Sequence, residues 1–175
     1  MKLLIIDYDL CSGCRVCELI CSMEHAGVFK PSISRIRVVK NDKLSIDVPL
    51  VCIQCESPAC VNICPANALS RDEETGIVRL DPAKCIGCNL CILKCPYHGV
   101  FKTPDGVVVK CDLCGGDPRC VKYCPTGALQ YVEESPETKA KREKSKEKLL
   151  KLLREYELEK PALRIARVGG VGLEV

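Results

Sequence analysis

The stretch "SRIRVVKNDKLSIDVP", from Ser34 to Pro49, alternates apolar and polar positions on either side of "KNDK", the pattern of a half-buried β-hairpin. Two shorter apolar runs, "GIVRLDP" and "GVVVKC", predict brief strands that feed the segments after them. "CPANAL" and "CPTGAL" predict the starts of short helices, with Pro in the first turn. Beyond residue 136 the period changes. Leu149, Leu152, Leu153 and Tyr156 fall on one stripe, which predicts a long amphipathic helix stopped at Pro161. The closing "LRIARVGGVGLEV" suits either a strand or an unstructured tail.

The elements are short and the apolar content is deceptive. Hydrophobic residues are 47% of the 175-residue chain, but this counts sixteen cysteines, while aromatics are 4% and Trp is absent. The apolar core is therefore expected to be thin, and small domains of that kind borrow stability from disulfides or metals. The opening "MKLLIIDYDLC" has too brief an apolar run for a secretory signal and no twin-arginine pair, so the expected compartment is the cytoplasm, where thiols stay reduced. No later segment approaches the apolar length of a membrane span.

The cysteines fall into four quartets with none left over: Cys11, Cys14, Cys17 and Cys21; Cys52, Cys55, Cys60 and Cys64; Cys85, Cys88, Cys91 and Cys95; Cys111, Cys114, Cys120 and Cys124. The first and third have the C-x2-C-x2-C-x3-C spacing of bacterial ferredoxins. In the second and fourth the gap before the third cysteine widens, in "CESPAC" and "CGGDPRC", without loss of a ligand. Cys64, Cys95 and Cys124 are each followed by Pro; Cys21 is followed by Ser22.

Closely spaced thiols on one loop bridge one another poorly, but they can wrap one iron-sulfur cube, with Gly13 and Gly87 giving the tight path its freedom. The fourth cysteine, displaced onto the next segment, ligates the other cluster of a two-cluster module, so quartets work in pairs. Structural zinc is the rival, but its usual paired knuckles do not require a third cysteine three residues on. The expected cofactors are four [4Fe-4S] clusters. Each cluster with its thiolates carries about −2, so the formal +3 of the chain becomes roughly −5, and a nucleic-acid partner is not expected.

With "CSGCRVCELIC", "CIQCESPACVNICPANAL", "CIGCNLCILKCPYHGV" and "CDLCGGDPRCVKYCPTGAL", residues 7–132 resemble the four-cluster ferredoxin-like subunits of multisubunit redox enzymes. Members serve dimethyl sulfoxide reductases, formate dehydrogenases, hydrogenase and carbon monoxide dehydrogenase systems, and tungsten aldehyde oxidoreductases. The resemblance implies an α+β fold of two ferredoxin-like modules, one nested in the other. The outer module would span about residues 1–49 plus 106–136 and the inner about 50–105, with residues 137–175 as an added helix and tail. It also implies that Cys52, Cys55 and Cys60 share a cluster with Cys95, and Cys85, Cys88 and Cys91 with Cys64. In the outer module, Cys11, Cys14 and Cys17 would join Cys124, and Cys111, Cys114 and Cys120 would join Cys21. Spacing alone leaves open a sequential pairing, of the first quartet with the second and the third with the fourth.

Such a chain has no catalytic residue of its own; it is a wire. Its two histidines are His25 and His98, and His98, just after the third quartet, is a candidate donor to a sulfur. The preferred partner is a large tungsten or molybdenum oxidoreductase subunit of the aldehyde oxidoreductase type. The alternatives are a freely diffusing polyferredoxin, the wire of another redox system, and a zinc-stapled adaptor. The hairpin either covers the core or offers Arg35 and Arg37 to a partner. The leucine stripe either lies on its own chain or grips another.

Overall fold

The structure, a computed structural model, describes residues 1–42 and 45–156. Its strands pair only two by two. β1 (Lys2–Ile6) runs antiparallel to β8 (Leu129–Glu133), from Lys2 opposite Glu133 to Ile6 opposite Leu129. β2 (Ile36–Asn41) pairs with β3 (Ile46–Val51), β4 (Leu69–Arg71) with β5 (Val78–Leu80), and β6 (Val100–Lys102) with β7 (Val108–Lys110). The strand before the first quartet thus pairs with the strand after the fourth, and the middle of the chain lies between them.

The hairpin expected after the first quartet is β2–β3, although part of its turn, Lys43 and Leu44, lies outside the described residues. Its apolar positions Ile36, Val38, Val48 and Leu50 are buried. The arginines between them turn inward as well. Arg35 pairs with Asp112 at 2.6 Å, and Arg37 lies 5.0 Å from the Phe101 ring centroid while donating from Nη2 to the carbonyls of Ser32 and Lys102. The hairpin is therefore a cover held down by its arginines. Arg35 and Arg37 are not the free docking pair that the alternation allowed.

Four helices carry the third cysteine of each quartet, always at the second helical position: Cys17 in α1 (Val16–Ala26), Cys60 in α2 (Ala59–Asn62), Cys91 in α3 (Leu90–Lys94) and Cys120 in α4 (Arg119–Lys122). In the compact quartets the loop enters its helix through a left-handed residue, Arg15 at φ 61° or Asn89 at φ 64°. In the two widened quartets Pro58 and Pro118 stand at that boundary, where a missing N–H costs no helical hydrogen bond.

The segments "CPANAL" and "CPTGAL" do not begin helices. Each makes a turn and enters a strand, β4 or β8, because Asn67 (φ 47°) and Gly127 (φ 69°) are left-handed and reverse the chain within one turn. The first quartet differs. With Ser22 in place of Pro, α1 runs on through Cys21 to Ala26, and Ser22 is fully buried, donating to the Leu19 carbonyl and accepting from Lys30 N.

α5 (Pro136–Glu155) is the helix that the leucine stripe predicts. Ser135 and Thr138 form a reciprocal cap at its start, and its C-cap is Tyr156; the stop expected at Pro161 lies outside the described residues. The stripe packs on the chain itself. Leu149 is fully buried in the main core beside Ile6 and Tyr8, with Leu152, Leu153 and Tyr156 against the same cluster, and Ser145 Oγ donates to the Ile6 carbonyl. That core also holds Cys17, Cys21, Cys52, Cys111 and Cys120; a second, smaller core is built from Leu69, Val78, Ile92, Val100 and Val108 with Cys60 and Cys91. Sulfur thus occupies places that aliphatic side chains fill in other small domains. No helix of the described residues is long and apolar enough to cross a membrane.

Candidate metal centres

The folded chain brings cysteines of different quartets into common cavities. One cavity is lined by Cys52, Cys55, Cys60 and Cys95, with Ile53, Pro58, Val78, Tyr97 and Val100 closing it. A second is lined by Cys11, Cys14, Cys17 and Cys124, with Val38, Pro49 and Leu129. In each, the first three thiols of one quartet meet the fourth of another.

The remaining eight thiols sort by the fields they exert on one another. Burial pushes the Cys91 thiol up to about 11, the amide of Ile92 opposes this, and the neighbouring charges of Cys85, Cys88 and Cys64 add to the rise. Burial likewise pushes Cys120 up to about 12, helped by Cys21 and Cys114, and Cys111 is raised by burial and then by Cys120. Cys85, Cys88 and Cys64 are thus electrostatic neighbours of Cys91, and Cys21, Cys114 and Cys111 of Cys120.

This chemistry fits an iron-sulfur cube: the two cavities offer four soft donors each and apolar walls, and backbone amides reach several of the sulfurs. Arg35 N reaches Cys21 Sγ at 3.3 Å, Gln54 N reaches Cys52 at 3.4 Å, and Leu113 N reaches Cys111 at 3.4 Å. Ala68 N and Gly99 N reach the sulfurs of Cys64 and Cys95, each at 3.3 Å. The raised thiols mean that protons leave when the sulfurs take up metal.

Between these groups, Cys17 feels the charge of Cys120, and Cys111 feels that of Cys52. α2, which carries Cys60, is in contact with α3, which carries Cys91. Of the sixteen cysteines only Cys14 and Cys88 are exposed.

The comparisons agree with this chemistry. Residues 45–134 match the 4Fe-4S dicluster domain, and residues 8–24 match a 4Fe-4S binding domain. The chain belongs to the 4Fe-4S dicluster family of ferredoxin-like electron-transfer subunits. The polyferredoxin-like subunit of an aliphatic sulfonate oxidoreductase from Pyrococcus furiosus is 51% identical over 123 residues, covering 69% of this chain and 70% of its own. Formate hydrogenlyase subunit 2 of Escherichia coli is 32% identical over 172 residues, covering 77% of this chain and 83% of its own. The electron transport protein HydN of the same organism is 32% identical over 160 residues, covering 77% and 89%.

Sequence reasoning missed one neighbour of the sulfurs. His25, at the end of α1, places Nε2 3.7 Å from Cys114 Sγ and 3.6 Å from Asp112 Oδ1. Its ring is kept below the ordinary histidine range first by burial and then by Arg35. With His25 and Cys114 separated by 89 positions, no local pattern carries this contact.

Proposed function

We propose that this 4Fe-4S dicluster family member carries four [4Fe-4S] clusters in a row, with all sixteen cysteines as ligands. It would relay single electrons between a catalytic oxidoreductase subunit and a second redox partner. The observation that carries this reading is the pair of cavities in which Cys95 meets Cys52, Cys55 and Cys60, and Cys124 meets Cys11, Cys14 and Cys17. Those groupings favour the nested pairing over the sequential one, with the inner module at about residues 50–105 enclosed by the outer. The antiparallel closure of β1 on β8 favours it too.

When bound, each cluster supplies one reversible one-electron step. The chain does the rest. Cysteine thiolates fix position, amide donors to sulfur stabilise the more negative reduced state, and Val38, Val78, Val100 and Leu129 exclude water. Exposed Cys14 and Cys88 mark the two ends of the row and hence the two ports. The chain contributes no catalytic group.

The standing partner in this reading is a cytoplasmic catalytic subunit of the tungsten or molybdenum aldehyde oxidoreductase type. The likeness to a polyferredoxin-like subunit of a sulfonate oxidoreductase supports a catalytic companion over a solitary shuttle. The test is elemental analysis of the native protein purified without oxygen, together with whatever travels with it. About sixteen irons per chain, with tungsten or molybdenum in a companion subunit, is the expected result. Sixteen irons on a solitary chain would point to a diffusing polyferredoxin, and zinc without iron would sink electron transfer altogether.

A further inference from the structure

Lys110, the last residue of β7, is 3% exposed. Its Nζ donates to the carbonyls of Val78 at 2.6 Å and Cys111 at 2.8 Å, and to Oε1 of Gln54 at 3.3 Å. Three acceptors take all three N–H bonds of an ammonium, whereas a neutral amine has only two to give. The side chain is therefore charged. Neutral oxygens orient that charge without cancelling it, and among the described residues no carboxylate lies within 4.0 Å of it. A buried charge without a counter-charge is strongly disfavoured.

Both carbonyls that hold the ammonium belong to the cysteine pockets: Val78 lines the cavity of Cys52, Cys55, Cys60 and Cys95, and Cys111 is a thiol of the neighbouring group. Gln54 braces the same junction: Nε2 donates to the Cys111 carbonyl at 2.9 Å, and its own amide donates to Cys52 Sγ.

Resting on the four-cluster reading, we propose that Lys110 is the shared counter-ion of the two middle clusters, those of Cys52, Cys55, Cys60 and Cys95 and of Cys111, Cys114, Cys120 and Cys21. Reduction adds one electron, and so one unit of negative charge, to each site. A fixed cation favours the more negative state and raises both potentials, while the terminal clusters of Cys14 and Cys88 are affected less. Lys110 thus keeps the middle of the row from becoming a barrier between its ends.

The experiment is a potentiometric titration followed by electron paramagnetic resonance, with iron counts, on the anaerobically purified full chain and its Lys110→Met, Lys110→Gln and Lys110→Arg variants. The neutral variants are expected to retain iron and to show two of four potentials moved to more negative values, with Lys110→Arg close to the parent. Neutral variants that load fully with all four potentials unmoved would overturn the proposal. If neither neutral variant assembles while Lys110→Arg does, charge is the requirement and the proposal stands; if Lys110→Arg also fails, shape is the requirement and it falls. A parent protein holding few irons would instead undo the four-cluster reading itself.

Discussion

The guanidinium of Arg142, on α5, donates from Nη2 to the carbonyls of Ile53 and Gln54, each at 2.6 Å. These carbonyls lie between Cys52 and Cys55, so α5 reaches past β1 and clamps the loop that forms one metal pocket. Arg142 is 5% exposed, and both acceptors lose their partner if it is truncated. Arg142→Ala is expected to cost about 2 kcal/mol. That corresponds to a loss of about 4–8 °C in the temperature at which the iron-sulfur absorbance disappears. Lys141→Ala, one residue away at an exposed ion pair with Glu137, is expected to leave that temperature unchanged.

The regrouping of cysteines predicts which substitutions act alike. Cys64→Ser and Cys88→Ser are expected to abolish the same paramagnetic signal, and Cys95→Ser the signal lost in Cys52→Ser. Each would remove about four of sixteen irons, or more if the module follows. A sequential pairing would instead make Cys64→Ser resemble Cys14→Ser. Signal-by-signal comparison of the five variants distinguishes the two.

Gly99 passes close to the second quartet. A Cβ there would lie 2.7 Å from Cys52 Cα and 2.8 Å from Cys52 N, both backbone atoms that no rotamer change can move aside. Gly99→Ala keeps the amide that donates to Cys95 Sγ, so its effect is steric. A destabilisation of about 1–3 kcal/mol is expected, with the Cys52 pocket losing iron first. Full iron with unchanged spectra would show that the backbone yields more easily than this contact implies.

Glu18, 1% exposed on α1, accepts from Val38 N at 2.6 Å and from Arg15 Nε at 2.8 Å, which ties the covering hairpin to the first quartet. Glu18→Ala strands a buried amide and is expected to cost about 1–3 kcal/mol. Glu18→Gln keeps an acceptor oxygen and is expected to cost less. Denaturation midpoints of the iron-loaded variants order the three proteins.

The elements were legible wherever the signal is local. The hairpin could be read from alternation at Ile36, Val38, Val48 and Leu50, and α5 from the stripe through Leu149. Both patterns are set by which face of a strand or helix must be buried. The turns after Cys64 and Cys124 were misread as helices. Pro at a first helical turn is a real signal, but it gave way to left-handed Asn67 and Gly127 and to the demand that the chain fold back over its own sulfur.

The sequence by itself determined the metal chemistry, because ligand type, number and loop spacing are written along the chain: sixteen cysteines in four quartets have few other uses. Tertiary structure decided which thiols share a cavity, since Cys124 lines the same cavity as Cys11 across more than a hundred residues and β1 pairs with β8 beside them. It also decided the fate of polar groups whose spacing carries no message. Lys110 became a buried ammonium between two pockets, His25 a neighbour of Cys114, and Arg35 the partner of Asp112. Spacing encodes what one loop can wrap. Burial and charge compensation depend on what the rest of the chain packs against that loop, and no local pattern contains that.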